Sequence, residues 1–122
     1  RNNAFSSVAM EAAYNEGEEW LEQLLAYLDG NFEFIRDYCE KYIPKIKPNV
    51  PDATYLVWLD CRELGMGNEE LKDFMIYKAG LGLNEGYTFG RSLSGYMRLN
   101  AACPRSVLEK ALNQLREAVD AL

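Results

Sequence analysis

The chain has 122 residues, 48% of them hydrophobic, enough for one domain with a core of its own. Asp and Glu number 19 against 13 Lys and Arg, a formal net charge of −6, which argues against a nucleic-acid binder with a basic face. No apolar run approaches the roughly 20 residues of a membrane span, and no basic and apolar leader is visible. The expected protein is therefore cytoplasmic, with neither nucleic acid nor membrane as partner. Histidine is absent, which removes the commonest general base and the commonest metal ligand. Cys39, Cys61 and Cys103 are far apart and odd in number, which suits neither a disulfide framework nor a zinc site, so no metal is expected.

Taken in chain order, the first 15 residues carry Ala4, Phe5, Val8, Ala9, Ala12 and Ala13 at helical spacing. The pattern starts abruptly, with no initiator methionine and a larger apolar face than a free tail needs. The expectation is a chain cut from something longer. Glu16 to Tyr42 has the longest helical pattern, with Trp20, Leu21, Leu24, Leu25, Leu28, Phe32, Ile35, Cys39 and Tyr42 on one stripe. Gly30-Asn31 is a place where it could bend or split, and Pro44 ends it.

Ile43 to Asp52 holds three of the four prolines, with room for an extended piece at Lys45–Lys47. Thr54 to Asp60 reads as the clearest strand, being β-branched and aromatic. A turn over Leu64–Gly67 precedes a helix over Glu69–Lys78, with Asn68 as N-cap, Leu71, Phe74, Met75 and Ala79 inward, and Gly80 as its stop. Leu81–Leu83 is a short extended segment and Asn84–Ser94 a glycine-rich loop. Tyr96–Ala101 is a second strand. Pro104 opens a last helix through Leu122, with Val107, Leu108, Ala111, Leu112, Leu115, Ala118 and Val119 apolar on one face. This order predicts an α+β fold: a small sheet with helices packed on one face.

Arg98 is the outstanding residue. A lone arginine inside an apolar strand is costly to bury unless an anion meets it, and a planar guanidinium grips a carboxylate with two parallel hydrogen bonds. Strand alternation puts Tyr96, Arg98 and Asn100 on one face, with Met97 and Leu99 on the other. That face is either a ligand site or an ordinary solvated sheet surface. The loop Leu83–Gly90 does not match a dinucleotide fingerprint; a mobile loop bringing Tyr87 and Phe89 beside Arg98 suits it better. Asp60 reads as a turn former, and Cys61 and Cys103 as small buried apolar residues. Ser106 and Glu109 have capping-box spacing. None of the six lysines lies in an evident apolar pocket that would lower its pKa.

Three blocks carry a family resemblance. They are Ala12-Ala-Tyr-Asn-Glu-Gly-Glu-Glu-Trp-Leu21 running on to Leu28-Asp-Gly-Asn31, then Ala53-Thr-Tyr-Leu-Val-Trp-Leu-Asp60, then Leu83-Asn-Glu-Gly-Tyr-Thr-Phe-Gly90 with Gly95-Tyr-Met-Arg-Leu-Asn-Ala-Ala-Cys-Pro-Arg105. The chain resembles the C-terminal part of fold-type I pyridoxal-phosphate enzymes of the class I/II aminotransferase superfamily, most closely the MalY/PatB-like cystathionine β-lyases. The resemblance implies a remnant helix of the large domain over 1–15, a long interdomain helix over 16–42, and the small domain over 43–122. It implies that Arg98 binds the α-carboxylate of an amino-acid substrate such as cystathionine, and that Tyr87, Phe89 and Asn100 lie near the active-site mouth, with Phe89 the member placed to touch substrate. It implies a homodimeric parent that uses pyridoxal 5′-phosphate. The large domain and the cofactor-binding lysine have no counterpart in these residues, so the fragment alone is expected to bind no cofactor and to be inactive. The same segment would serve an aminotransferase, and the residues by themselves also leave open a free-standing, non-catalytic α+β interaction domain.

Overall fold

The computed structural model describes residues 3–122. Helix α1 (Ala4–Glu16) and helix α2 (Glu18–Tyr42) come first. Strands β1 (Lys47–Asn49) and β2 (Leu56–Asp60) follow, then helix α3 (Asn68–Asp73), which widens into a π-helical turn over Phe74–Lys78. Strands β3 (Asn84–Glu85) and β4 (Tyr96–Asn100) lead to helix α4 (Arg105–Asp120). The strands form one antiparallel sheet in the order β1-β2-β4-β3. This is the expected α+β architecture.

Strand alternation divides the sheet into two unlike faces. Val57, Leu59, Met97 and Leu99 are buried and pack in one core with Leu28, Phe32, Ile35 and Cys39 of α2 and with Leu108, Leu112 and Leu115 of α4. Leu71, Phe74, Met75 and Ala79 are buried as the helical spacing requires. The opposite face, with Trp58, Tyr96 and Arg98, carries no helix and stays partly open.

Several local expectations shift. Gly17, not a continuous run from Glu16, separates α1 from α2; a Cβ there would sit 2.4 Å from the Ala13 carbonyl oxygen. Of the α2 stripe, Leu28, Phe32, Ile35 and Cys39 are buried, while Trp20, Leu21, Leu25 and Tyr42 stay exposed, and α1 buries nothing among the described residues. A tight turn in which the Ile46 N–H donates to the Ile43 carbonyl delays the extended backbone, so β1 begins at Lys47 instead of Lys45. Gly67 occupies the cap position, and Asn68 lies inside α3. The Asn68 Oδ1 instead accepts from Ser94 Oγ at 2.8 Å and from the Gly95 N–H at 3.3 Å, tying down the approach to β4. Leu81–Leu83 stays irregular, and the pairing falls at Asn84–Glu85, inside the stretch read as loop. Ser106 makes no capping bond, because Pro104 already holds the cap position and its carbonyl accepts from Val107 and Leu108. Val107 is exposed, at the edge of the α4 apolar face.

Gly30-Asn31 neither bends nor splits α2. Asn31 is fully buried and donates through Nδ2 to the carbonyls of Ala101, at 2.8 Å, and Cys103, at 3.1 Å. Its Oδ1 accepts from Arg105 Nε at 2.8 Å. Gly30 leaves room for this arginine: a Cβ there would lie 3.2 Å from Arg105 Nη2. One buried amide thus joins the middle of α2 to the exit of β4 and the start of α4.

Asn31→Ala removes all three bonds and strands two carbonyls that no longer have a partner. The expected cost is about 2–4 kcal/mol of unfolding free energy, read as a lowered urea midpoint with an unchanged slope. Burial pushes the thiols of Cys39 and Cys61 up to about 12, and both are inaccessible, whereas Cys103 is half-buried. A thiol reagent should therefore label Cys103 in the native protein while Cys39 and Cys61 react only on unfolding; quick native labelling of all three would contradict this packing.

Candidate functional site

The open sheet face is built around Arg98. The register places Arg98 opposite Trp58 on β2 and opposite Asn84 on β3, so the three side chains form a row across the sheet. Arg98 Nη2 donates to Asn84 Oδ1 at 3.1 Å. The guanidinium carbon lies 4.3 Å from the centre of the Phe89 ring and 6.0 Å from that of Trp58, both within reach of a cation–π attraction. The two rings meet edge to face, with centres 5.5 Å apart and planes at 82°.

Phe89 reaches this position because of the turn that carries it. Residues Gly86–Phe89 form a 3₁₀ turn packed directly on the start of β4. A Cβ at Gly86 would fall 2.4 Å from the Leu93 carbonyl oxygen and 2.8 Å from that of Tyr96, so only glycine permits the approach. The side chain of Thr88 donates to the Glu85 carbonyl at 2.7 Å and secures the turn.

The charge of Arg98 is not neutralised by any of the described residues. None of the ion pairs among the described residues includes it, and its Nε is a buried donor with no hydrogen-bond partner. The acids that lie near it in the sheet are held by other cations. Asp60, on the same face, accepts from Arg62 Nε at 2.9 Å and Arg62 Nη2 at 2.7 Å. This fork, with the Arg62 N–H, holds the Asp60 carboxyl down to about 2, in keeping with its reading as a turn former. Glu85 pairs through the opposite face with Lys72 at 3.6 Å. An unpaired, partly shielded guanidinium on an open face is suited to an anionic ligand, and its two-pronged edge suits a carboxylate.

The other residues named from sequence are distributed unevenly. Phe89 and Trp58 gather at Arg98. Tyr96 shares the face, but its ring lies under the Arg62 guanidinium at 5.0 Å. Asn100 shares it too, yet its Oδ1 accepts from the Ala102 N–H at 2.8 Å, a local turn at the strand end. Tyr87 is exposed on the same turn as Phe89, with no ring contact or side-chain hydrogen bond to Arg98 among the described residues. Asn84 begins the expected loop; its contact with Arg98 depends on a two-residue strand too short to announce itself in the sequence.

No protein-family model matches the chain. Individual proteins do. The cystathionine β-lyase PatB of Bacillus subtilis is 37% identical over 117 residues, 96% of this chain and 30% of the relative. The protein MalY of Escherichia coli is 39% identical over 111 residues, 91% of this chain and 28% of that one. Among solved structures, cystalysin of Treponema denticola, which contains pyridoxal 5′-phosphate, superposes with a TM-score of 0.94 at 34% identity, over 98% of this chain and 30% of its own. A pyridoxal-phosphate-bound protein of Clostridium difficile assigned to the aminotransferases gives 0.93 at 48% identity, over 98% of this chain and 31% of its own. The chain spans less than a third of the relatives it matches, and corresponds to the C-terminal part of those longer chains. It belongs to the family of the MalY/PatB-like cystathionine β-lyases, within the fold-type I pyridoxal-phosphate enzymes.

Proposed function

We propose that this chain forms the small-domain part of a pyridoxal-phosphate-dependent C–S lyase acting on a cystathionine-like amino acid, and that Arg98 binds the substrate's α-carboxylate. The observation that carries the reading is the guanidinium on the open sheet face with a buried Nε that nothing among the described residues satisfies. Such a donor calls for an acceptor from outside. The family supplies amino acids as the substrate class.

The division of labour follows from the residues. Arg98 takes the carboxylate in a charge-assisted, two-pronged bond. That fixes the substrate at one end, and the bonds at Cα are thereby held in one orientation, which contributes to rate as well as affinity. Phe89 and Trp58 cover part of the guanidinium and keep water from it, which strengthens the attraction. Pyridoxal phosphate, when bound, supplies the electron sink that stabilises negative charge at Cα. The residues described here fit the substrate's carboxylate and not the cofactor: no lysine stands among the groups that touch Arg98. The lysine and the cofactor pocket belong, in this proposal, to a large domain outside these 122 residues.

The same reading assigns residues 1–15 to a remnant of that domain, 16–42 to the interdomain helix and 43–122 to the small domain. The exposed Phe5, Val8, Tyr14, Trp20, Leu21 and Leu25 support it, since a lone domain rarely leaves so many large apolar side chains on one pair of helices. A homodimeric, cytoplasmic parent completes the proposal; among the described residues no helix is long and apolar enough to cross a membrane. The likeness to the Clostridium difficile protein favours a second reading, an aminotransferase, which would use Arg98 in the same way.

In the full-length protein, Arg98→Lys should raise KM for L-cystathionine by about tenfold to a hundredfold, the loss of one charge-assisted bond and its geometry, while the absorbance of bound cofactor is kept. Loss of cofactor in that variant would instead make Arg98 structural. The 122-residue chain alone, titrated with pyridoxal phosphate, should give no saturable absorbance band in the visible range and no pyruvate from cystathionine. A stoichiometric band would place a cofactor lysine in this chain and refute the division proposed.

A further inference from the structure

We infer that Asn84 is a positioning residue for Arg98, one that aims the guanidinium without neutralising it; this rests on the reading of Arg98 as a carboxylate binder. The amide is placed by backbone register: Asn84 pairs with Arg98 across β3 and β4, on the same open face. Its bond to Nη2, at 3.1 Å, is the one side-chain hydrogen bond that Arg98 makes among the described residues. Arginine has only donors, so the carbonyl end of the amide must face it. One prong is thereby fixed, and Phe89 limits the tilt of the plane from 4.3 Å away. A guanidinium held at one nitrogen and across one face has lost most of its rotamer freedom before a ligand arrives, which lowers the entropy cost of binding.

The choice of amide over carboxylate is the telling point. Aspartate has the same shape and would hold Nη2 more firmly. It would also form an internal ion pair and compete with the incoming carboxylate for the same charge. The surroundings follow the same rule. The neighbouring acid on β3, Glu85, points to the other face and is paired with Lys72. The acid two positions from Trp58 on β2, Asp60, is gripped by both nitrogens of the Arg62 fork. Among the described residues the one side chain that hydrogen-bonds Arg98 is neutral, and Asp60 and Glu85 are already engaged. A clamp that must bind a carboxylate reversibly needs this arrangement, because an internal carboxylate at hydrogen-bond distance would cost the external one much of its advantage.

The test uses the full-length, cofactor-loaded protein, with L-cystathionine as substrate and propionate as a non-reacting carboxylate competitor. Asn84→Ala should raise KM and the propionate Ki by about three- to tenfold, with kcat changed little, because one orienting bond is lost. Asn84→Asp should raise both by a further tenfold or so despite its identical shape, again at nearly constant kcat. A merely structural side chain would give the reverse order, with the isosteric Asp milder than Ala. If Asn84→Asp matches the wild type or falls below Asn84→Ala, the inference is overturned. Arg98→Lys is assayed alongside. If it leaves KM and Ki unchanged, the underlying reading of Arg98 fails. If it raises both while Asn84→Asp does not exceed Asn84→Ala, only the role of Asn84 fails. Should Asn84→Asp not fold, Asn84→Ser decides: a propionate Ki between wild type and Asn84→Ala supports a neutral acceptor, and one equal to Asn84→Ala refutes it.

Discussion

The architecture depends on the buried amide of Asn31. Two stretches distant in sequence meet at it: the middle of α2, and the exit of β4 as it runs into the first turn of α4. Apolar contact alone holds helices on a sheet without fixing where along their length they sit. A fully satisfied polar group in the core does fix it, because any sliding leaves donors and carbonyls unpaired in a medium that cannot solvate them. Tyr27 and Phe34 reinforce the same junction. The Tyr27 hydroxyl accepts from the Arg105 N–H at 2.7 Å, and the Arg105 guanidinium lies 4.8 Å from the Phe34 ring centre. The placement of β4 beneath the helices, and so the direction in which Arg98 faces, follows from this junction.

Arg105 and Arg98 lie seven residues apart and have opposite fates. Arg105 is absorbed into the fold, bonded to Asn31 and stacked on Phe34. Arg98 sits among aromatic rings and one neutral amide, with a donor left over. The contrast separates an arginine whose donors are taken up by the fold from one with a donor left unpaired among the described residues, and it comes from the company each keeps.

The legible part of this fold was the part with strong period. Alternation in Tyr96–Asn100 placed Arg98 on the face away from the core, and helical spacing in α3 and α4 identified Leu71, Phe74, Met75, Leu108, Leu112 and Leu115 as buried. What the residues did not reveal were features set by contacts between distant segments. Trp20, Leu21 and Leu25 continue the α2 stripe without interruption, yet only packing partners decide where burial stops, and those partners cover the stripe from Leu28 to Cys39. Gly30-Asn31 looks like a helix breaker in isolation; its meaning lies in Ala101, Cys103 and Arg105, 70 to 74 residues after Asn31. Asn84 was invisible for the same reason. Two residues of strand have no period, and the pairing that brings Asn84 to Arg98 is a property of β4.

The close seat of the Gly86 turn has an evolutionary consequence. Its backbone lies against two carbonyl oxygens with no space for a single added carbon, so the path of residues 86–89 cannot drift without disturbing β4. The side chains that project from this path, Tyr87 and Phe89, are about half exposed; Phe89 is held against Trp58 and Arg98, whereas Tyr87 makes no ring contact among the described residues. Variation is therefore channelled: an exposed side chain such as Tyr87 can be exchanged while the track that presents it stays the same. A scaffold of this kind lets surface side chains diverge without renegotiating the fold.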